Sequence, residues 1–276
     1  MEAGRSLGMA AIAILAIILF YSLHVEPYNV FISENRFDFF EGTGDPVKVV
    51  LISDTQGAYD YPEYFHGAMA KASAQEPDII LIAGDIVEGE KNAWEKLGEL
   101  KNLKSGYGVY AVLGNHDYRD WDCRDPAIYD YADRVEKTVE SFGIGVLRNE
   151  NRILNIRGME FAIAGIDDEW ACRSDPQKAL ANLSGEIPKL ILVHEQEVLY
   201  DLSPGRKTIG FAGHTHCGQF YVPFITDYLT EYLGFGKIRQ GRATLENGIE
   251  TYITCGITPG GIRLFARPEI SVIYLE

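Results

Sequence analysis

Several things are missing from this sequence, and each absence narrows the reading. No two cysteines are spaced as CxxC, so a structural zinc knuckle is not indicated. No internal repeat marks a solenoid or a duplicated domain. No run of lysine and arginine supplies the footprint of a nucleic-acid binder. Positive charge is scarce altogether: 25 Lys and Arg face 40 Asp and Glu, for a formal net charge of -15. A body of that sign repels phosphate backbones, so no nucleic-acid partner is expected. Histidine is sparse too, with six in 276 residues, which makes its placement informative.

What is present begins with one long apolar run. Residues 6–23, SLGMAAIAILAIILFYSL, carry no charge and are just long enough to cross a bilayer as a helix. Arg5 precedes the run and the next basic residue of the Lys/Arg type is Arg36, a bias that places the N-terminus in the cytoplasm and the rest of the chain outside it. A cleaved signal peptide is the competing reading, but YSLHVE lacks a clear small-x-small site. The expected organisation is a transmembrane anchor at 1–24, a membrane-proximal segment with an edge strand at 25–46, and one folded domain at 47–276. The four cysteines are Cys123, Cys172, Cys217 and Cys255. Outside the cytoplasm an even count permits disulfides. Cys123 and Cys172 sit in similar loops, WDCRD and WACRSDP, and either pair with each other or fill space as free thiols.

From residue 47 a pattern recurs. VKVVLIS, DIILIA and VYAVL are short runs of Val, Ile and Leu that read as strands buried on both faces. Each ends in a polar stretch, DTQG, GDIVEGE or GNHDYRD. Helices are expected between them at 63–74 and 93–103, giving β-α-β order and a parallel sheet. The second half repeats the scheme with FAIAGIDD, KLILVHE and TIGFAGHTH, helices at 136–142 and 176–183, and closing strands ETYITCG and EISVIYLE. Polar loops thus gather at strand carboxyl ends, where open α/β sheets bind their ligands.

Those ends carry Asp54, Gln56, Asp85, Asn115, His116, His194, His214 and His216. Oxygen and imidazole donors in this mixture suit divalent Mn, Fe or Zn rather than a soft ion. One such histidine alone would be read as a hydrogen-bonded loop residue; the recurrence points to metal binding. In that order DTQ, GDIVEG, GNHD, the HE of LILVHEQE, and GHTH resemble the five signature blocks of the calcineurin-like metallophosphoesterases. GHTHCGQFYVP and TPGGIRLFARPEISVIYL further resemble the membrane-attached branch that includes UDP-2,3-diacylglucosamine hydrolases. The resemblance runs from about Lys48 to the C-terminus.

It implies a four-layer α/β/β/α sandwich of two mixed sheets behind the N-terminal transmembrane helix, with two divalent metal ions at one end. Asp54, Gln56, Asp85 and His216 would hold the first ion, and Asp85, Asn115, His194 and His214 the second, with Asp85 shared. An extended loop would let His214 and His216 face different ions. The family's commonest first block has histidine where this chain has Gln56. A neutral amide oxygen there favours a hard metal such as Mn; alternatively Gln56 only satisfies loop backbone groups. Water between two such ions becomes a nucleophile at neutral pH. His116 would protonate the leaving oxygen or, in the plainer account, pair with a carboxylate.

Arg119, Arg124 and Arg173 are the candidates for gripping substrate phosphate, although each has aspartates nearby to pair with. Asp167 and Asp168 are read either as orienting a metal-bound histidine or as solvated loop acids, and Cys217 as a packing residue. The apolar segment YVPFITDYLTEYLGFG, residues 221–236, either packs on the domain or forms a lip for an acyl chain or bilayer. The leading expectation is a membrane-anchored phosphoesterase acting on a lipid-linked or nucleotide-sugar phosphodiester or pyrophosphate. A phosphoesterase with a soluble phosphomonoester or cyclic nucleotide comes second, and a non-catalytic metal-binding scaffold third. The topology is in tension with one substrate: hydrolysis of UDP-2,3-diacylglucosamine needs a cytoplasmic site.

Overall fold

The computed structural model describes residues 2–41, 44–89, 92–119, 123–203, 205, 207–259 and 261–276, with side chains from Ser6 onwards. Arg5, which carries the charge bias of the N-terminus, has its side chain outside the described residues. Among the described residues, twelve strands form two six-stranded mixed sheets. They are β1 (Phe31–Phe37), β2 (Val47–Ile52), β3 (Ile79–Ala83), β4 (Val109–Val112), β5 (Ile144–Val146), β6 (Glu150–Ile156), β7 (Met159–Gly165), β8 (Lys189–Leu192), β9 (Thr208–Ala212), β10 (Gly241–Thr244), β11 (Glu250–Ile253) and β12 (Glu269–Leu275). The first sheet runs β1-β12-β2-β3-β4-β5 and the second β10-β11-β9-β8-β7-β6. The α-helices among the described residues are α1 (Glu2–His24), α2 (Pro62–Ser73), α3 (Ala127–Ser141), α4 (Pro176–Ala179), α5 (Glu197–Tyr200) and α6 (Ile225–Tyr232).

The layers follow from the alternation of side chains along a strand. In β2 and β3, Val49, Leu51, Ile79 and Leu81 enter the core between the sheets, where they meet Leu190, Leu192, Ile209 and Phe211 of β8 and β9. Val50, Ile52, Ile80 and Ile82 point the other way, under α2 and α3. Ile191, Val193 and Ala212 face outward from the second sheet towards α4 and α5. The central strands therefore carry apolar residues on both faces, which is why they read as nearly unbroken runs. The architecture is the expected four-layer α/β/β/α sandwich.

The N-terminal helix is apolar and projects from this body, its residues 6–21 exposed. Burial begins at Ser22 and Glu26. The edge strand β1 then pairs in parallel with β12, so the segment after the helix is part of the first sheet.

Several local expectations change. The helix read at 136–142 begins at Ala127, because Ile128, Tyr131, Ala132, Val135 and Val139 line one buried face; its first turns are crowded with charge and aromatic rings that hide the period. The helix read at 176–183 is the single turn Pro176–Ala179, started by Asp175, whose carboxylate accepts from Lys178 N. The segment read as helix at 93–103 is the 3₁₀ stretch Ala93–Asn102. All four cysteines are joined, Cys123 to Cys172 and Cys217 to Cys255. The second pair overturns the packing role read for Cys217: β9 and β11 are parallel neighbours, so their ends bring the two thiols together.

Leu81 is fully buried between the sheets. Leu81→Ala is expected to cost about 2–5 kcal/mol of unfolding free energy, read from urea denaturation followed by circular dichroism. A loss under about 1 kcal/mol would mean that the two sheets do not close on a packed core.

Candidate active site

The carboxyl ends of β2, β3, β4, β8 and β9 meet at one edge of the sandwich, and the loops that leave them are bonded to each other. Asp54 N donates to Gly84 O at 3.0 Å and Gln56 N to Asp85 O at 3.0 Å. Gly213 N donates to His194 O at 3.1 Å. Ser53 Oγ and Thr55 Oγ1 add bonds to the carbonyls of Ala83 and Ile86. The side chains that follow are thus held by backbone rather than by each other. Asp54, Asp85, His214 and His216 all lie at positive φ, between 46° and 69°, a conformation that costs non-glycine residues of order 1–3 kcal/mol each and clusters at functional sites.

These loops bring Asp54, Gln56, Asp85, His194 and His214, all buried, together with the half-buried His216, with Asn115 buried on the adjoining β4 loop. Two triads share one member: Asp85 with His194 and His214, and Asp85 with Asp54 and His216, the ligand atoms in each lying within 4.8 Å of one another. His194 Nε2 is 3.2 Å from Asp85 Oδ2 and 3.1 Å from His214 Nδ1. His194 Nδ1 faces Ala83 O at 2.7 Å, so that nitrogen carries a proton as a donor and Nε2 is the nitrogen turned towards the cluster. Gln56 Nε2 stands 2.9 Å from Asp85 Oδ2 and 3.4 Å from His216 Nε2.

The loop holding the two histidines is not extended. Thr215 is helical and caps Cys217 N, and His216–Gly218 form a 3₁₀ turn. His214 and His216 reach different triads because the chain turns between them, not because side chains alternate.

The electrostatics centre on Asp85. Burial pushes its carboxyl up, but His194, with His116 and His214 behind it, holds it well below the ordinary carboxylate range. Burial pushes His194 down, and Asp85 reverses this to lift it well above a usual imidazole. His214 is driven well below its usual value, by burial first and by His194 second. Two imidazoles and a carboxylate at these distances lack the positive charge that would satisfy all three.

His116 is half-buried beside this group. Its backbone N donates to Asp85 Oδ1 at 3.0 Å, and its Nδ1 lies 3.6 Å from Glu88 Oε1. Arg119 and Arg124 are exposed on the loop after it. Arg173 is also exposed, with its guanidinium 4.7 Å from the centre of the Tyr129 ring. Asp167 accepts from Tyr118 Oη at 2.7 Å and pairs with Arg148 Nε at 3.1 Å. Asp168 is raised well above its usual range by burial and by Glu195. Among the described residues, neither aspartate hydrogen-bonds a site histidine.

Residues that the sequence did not single out complete the setting. Asp117 accepts backbone N–H groups from Ile86 at 2.9 Å, Val87 at 2.8 Å and Gly114 at 2.9 Å, which staples the Asp85 loop to the Asn115 loop. Burial first and Asp85 second push its carboxyl up to about 7. Its position inside GNHD was the available signal. Trp170 and Phe235 wall the other side, with ring centres 4.6 and 5.2 Å from His214.

Two cavities meet at this group. One, of about 430 Å³, is lined by polar residues including Gln56, His116, His216, Gln219 and Thr258. The other, of about 480 Å³, runs from His214 and His216 along Phe220, Ile225, Leu229 and Phe235. His216 and Gln219 belong to both.

A family model described as calcineurin-like phosphoesterase matches residues 47–218. The chain belongs to the calcineurin-like phosphoesterases. It is similar to phosphodiesterase YaeI of Escherichia coli, 26% identical over 259 residues that cover 92% of each protein. It is also similar to UDP-2,3-diacylglucosamine pyrophosphatase LpxG of Chlamydia muridarum, 25% identical with 82% of this chain and 83% of that protein covered. A Caenorhabditis elegans protein named as a metallophosphoesterase is 29% identical over 92% of the chain, which spans only 53% of that relative's length. As a member of this family the chain is a metal-dependent phosphoric ester hydrolase, and calcineurin-like phosphoesterases use a dinuclear divalent metal centre.

The residues present fit such a centre. Asp54 Oδ2, Gln56 Oε1 and Asn115 Oδ1 are buried with no hydrogen-bond partner among the described residues. Orphaned acceptors of this kind normally cost about 1–3 kcal/mol each, and cations would satisfy them. The backbone leaves room for little else: a methyl group on Gly114 would collide with the Asp85 carboxylate and lie 2.7 Å from His194 Cδ2. Gly114→Ala is therefore expected to weaken Mn binding by about 10–100-fold in a calorimetric titration. Unchanged affinity would show that the metals do not depend on the packing of Asp85 against this loop.

Proposed function

We propose that this chain is a membrane-anchored two-metal phosphoesterase that cleaves a phosphodiester or pyrophosphate carried by a lipid. The observation that carries the catalytic part is the pair of triads joined through Asp85. In this reading Asp54, Gln56, Asp85 and His216 hold one ion, and Asp85, Asn115, His194 and His214 the other, with Mn favoured by the amide oxygen of Gln56. When bound, two such ions supply Lewis acidity and lower the pKa of a coordinated water towards neutrality.

The protein's own groups do the remaining work. The Ala83 carbonyl fixes the His194 tautomer so that Nε2 faces the cluster. His116 lines the polar cavity and has Glu88 near Nδ1. Glu88 orients the ring, and His116 delivers a proton to the departing oxygen. Arg119, Arg124 and Arg173, all exposed, are assigned to the approach of substrate phosphate rather than to the buried centre.

The lipid part is supported by the apolar cavity. It shares His216 and Gln219 with the polar one, so a molecule with a phosphate head and a hydrocarbon tail would fill both. The anchor is supported by the length and exposure of α1. Two disulfides favour an oxidising compartment, in agreement with the charge bias around the apolar run. On that side of the membrane a lipid-linked phosphodiester or pyrophosphate is a better substrate than UDP-2,3-diacylglucosamine.

Purified full-length protein is expected to hold about two ions per chain by elemental analysis and to hydrolyse a bis-aryl phosphodiester in a Mn-dependent manner. His116→Ala should lower kcat by about 10²–10⁴-fold with the metal content unchanged. Activity indifferent to chelation and to His116→Ala would sink the catalytic assignment.

Phe224 and Leu229 are exposed at 87% and 44%, and Leu229 lines the apolar cavity. Changing both to serine should spare the soluble diester and depress turnover of a lipid-linked substrate in mixed micelles. Equal losses on the two substrates would favour a soluble phosphomonoester or cyclic nucleotide instead.

A further inference from the structure

We infer that the loop bearing Ile262 and Phe265, together with the Phe220–Phe224 turn beside it, is a lipid-docking surface seated in the interface of the bilayer that α1 enters. The inference rests on α1 being a membrane span, as proposed above. The exposed helix meets the folded body at Ser22, which places the lipid boundary there. The C-terminal loop is tied to that same point. Arg263 N donates to Ser22 O at 2.9 Å, Ala266 N to Glu26 Oε1 at 2.7 Å, and Arg267 Nη2 to Asn29 Oδ1 at 2.9 Å.

A loop held this firmly nevertheless presents Phe265 at 72% exposure and Ile262 at 41%. Phe265 sits at φ 57°, a strained setting for an aromatic residue. Leu264 pairs with the chain before α6, through Tyr221 N to Leu264 O and Leu264 N to Gln219 O, both 2.9 Å. That pairing carries the surface on to Phe220, 46% exposed, and to Phe224 at φ 67°. Aromatic side chains held outward beside guanidinium groups suit the interface between headgroups and hydrocarbon. Here Arg267 stands 5.1 Å from the Phe31 ring and Arg239 3.9 Å from the Tyr221 ring.

One occupant explains the position of this patch. A soluble partner would have to dock within a few residues of the point where the helix leaves the domain, a place the bilayer itself fills. The consequence concerns access to the site: Gln219 and Gly261, which flank the paired segments, line the polar cavity. Tyr28, just after the helix, makes edge contacts with Tyr61 of the same cavity and with Tyr64, at 5.4 and 5.8 Å. The mouth of the site therefore opens at the lipid surface, and a lipid-linked substrate reaches it without leaving the bilayer.

All native cysteines are in disulfides, so a single introduced thiol can be labelled selectively. Full-length Phe265→Cys and Phe224→Cys, each carrying an environment-sensitive nitrobenzoxadiazole group, are to be reconstituted into phosphatidylcholine vesicles containing lipids brominated near the headgroup. The control is Glu140→Cys, exposed on α3 next to β5, at the opposite edge of the first sheet from β1. Emission at both test positions should shift to the blue and be quenched several-fold more than at the control. Quenching no greater than the control at both positions overturns the inference. Alkaline extraction of the same vesicles reports on the anchor separately: a retained chain with water-exposed labels leaves the span standing and removes the docking surface.

Discussion

Everything at this site is arranged around the buried carboxylate of Asp85. It accepts from His116 N and from Gln56 Nε2 and faces Nε2 of His194. A charge so deeply placed is costly unless cations or donors surround it. The surroundings include a second carboxylate, Asp54, and two more imidazoles. Most of these groups offer lone pairs, and a cluster of lone pairs is stable only around positive charge. The upward shift of His194 and the downward shift of Asp85 express that demand through a proton; two divalent ions would meet it more completely.

The fold sustains this concentration by drawing its members from five separate strand ends. No local segment has to carry more than two of the groups, and the inter-sheet core anchors every one of the strands. The strain is stored in the loops, at the positive φ values of Asp54, Asp85, His214 and His216, and is offset by hydrogen bonds between loops. Asp117 is the plainest example. Its carboxylate takes up three backbone N–H groups from two loops, so it fixes where Asp85 and Asn115 stand without belonging to either triad.

The strands were legible in the sequence because burial on both faces leaves an unbroken apolar run, and β2, β3, β8 and β9 all have one. The short and edge strands β5, β6 and β10 were not, since β6 and β10 carry exposed polar residues instead of an apolar run and β5 has only three residues. The polar residues that gather at the site were visible as a recurrence of donors at strand ends. What holds them was less visible. Asp117 and Trp170 sit in the quoted motifs, but their work is done by contacts across loops, which no spacing reveals. The Cys217–Cys255 bond escaped for the same reason, because its two cysteines become neighbours only when β11 lies beside β9.

That bond also joins two parts of the molecule that seem unrelated in sequence. Arg263 is the largest fully buried side chain, and burial lowers its pKa to about 10. Its backbone N holds Ser22 at the base of the helix, while its guanidinium donates to the carbonyls of Cys255 at 3.3 Å and Ala266 at 2.9 Å. Cys255 is covalently linked to Cys217, the residue after His216. A continuous chain of contacts thus runs from the end of α1 to a candidate metal ligand. Burying a guanidinium carries a desolvation penalty of about several kcal/mol, which a purely apolar residue would avoid. What the arginine provides is a fixed fork of donors at the point where helix, C-terminal loop and disulfide converge. The orientation of the domain at the base of α1 and the position of the His216 loop are then set together, so the site cannot tilt relative to the helix without breaking bonds that also define the metal-binding loop.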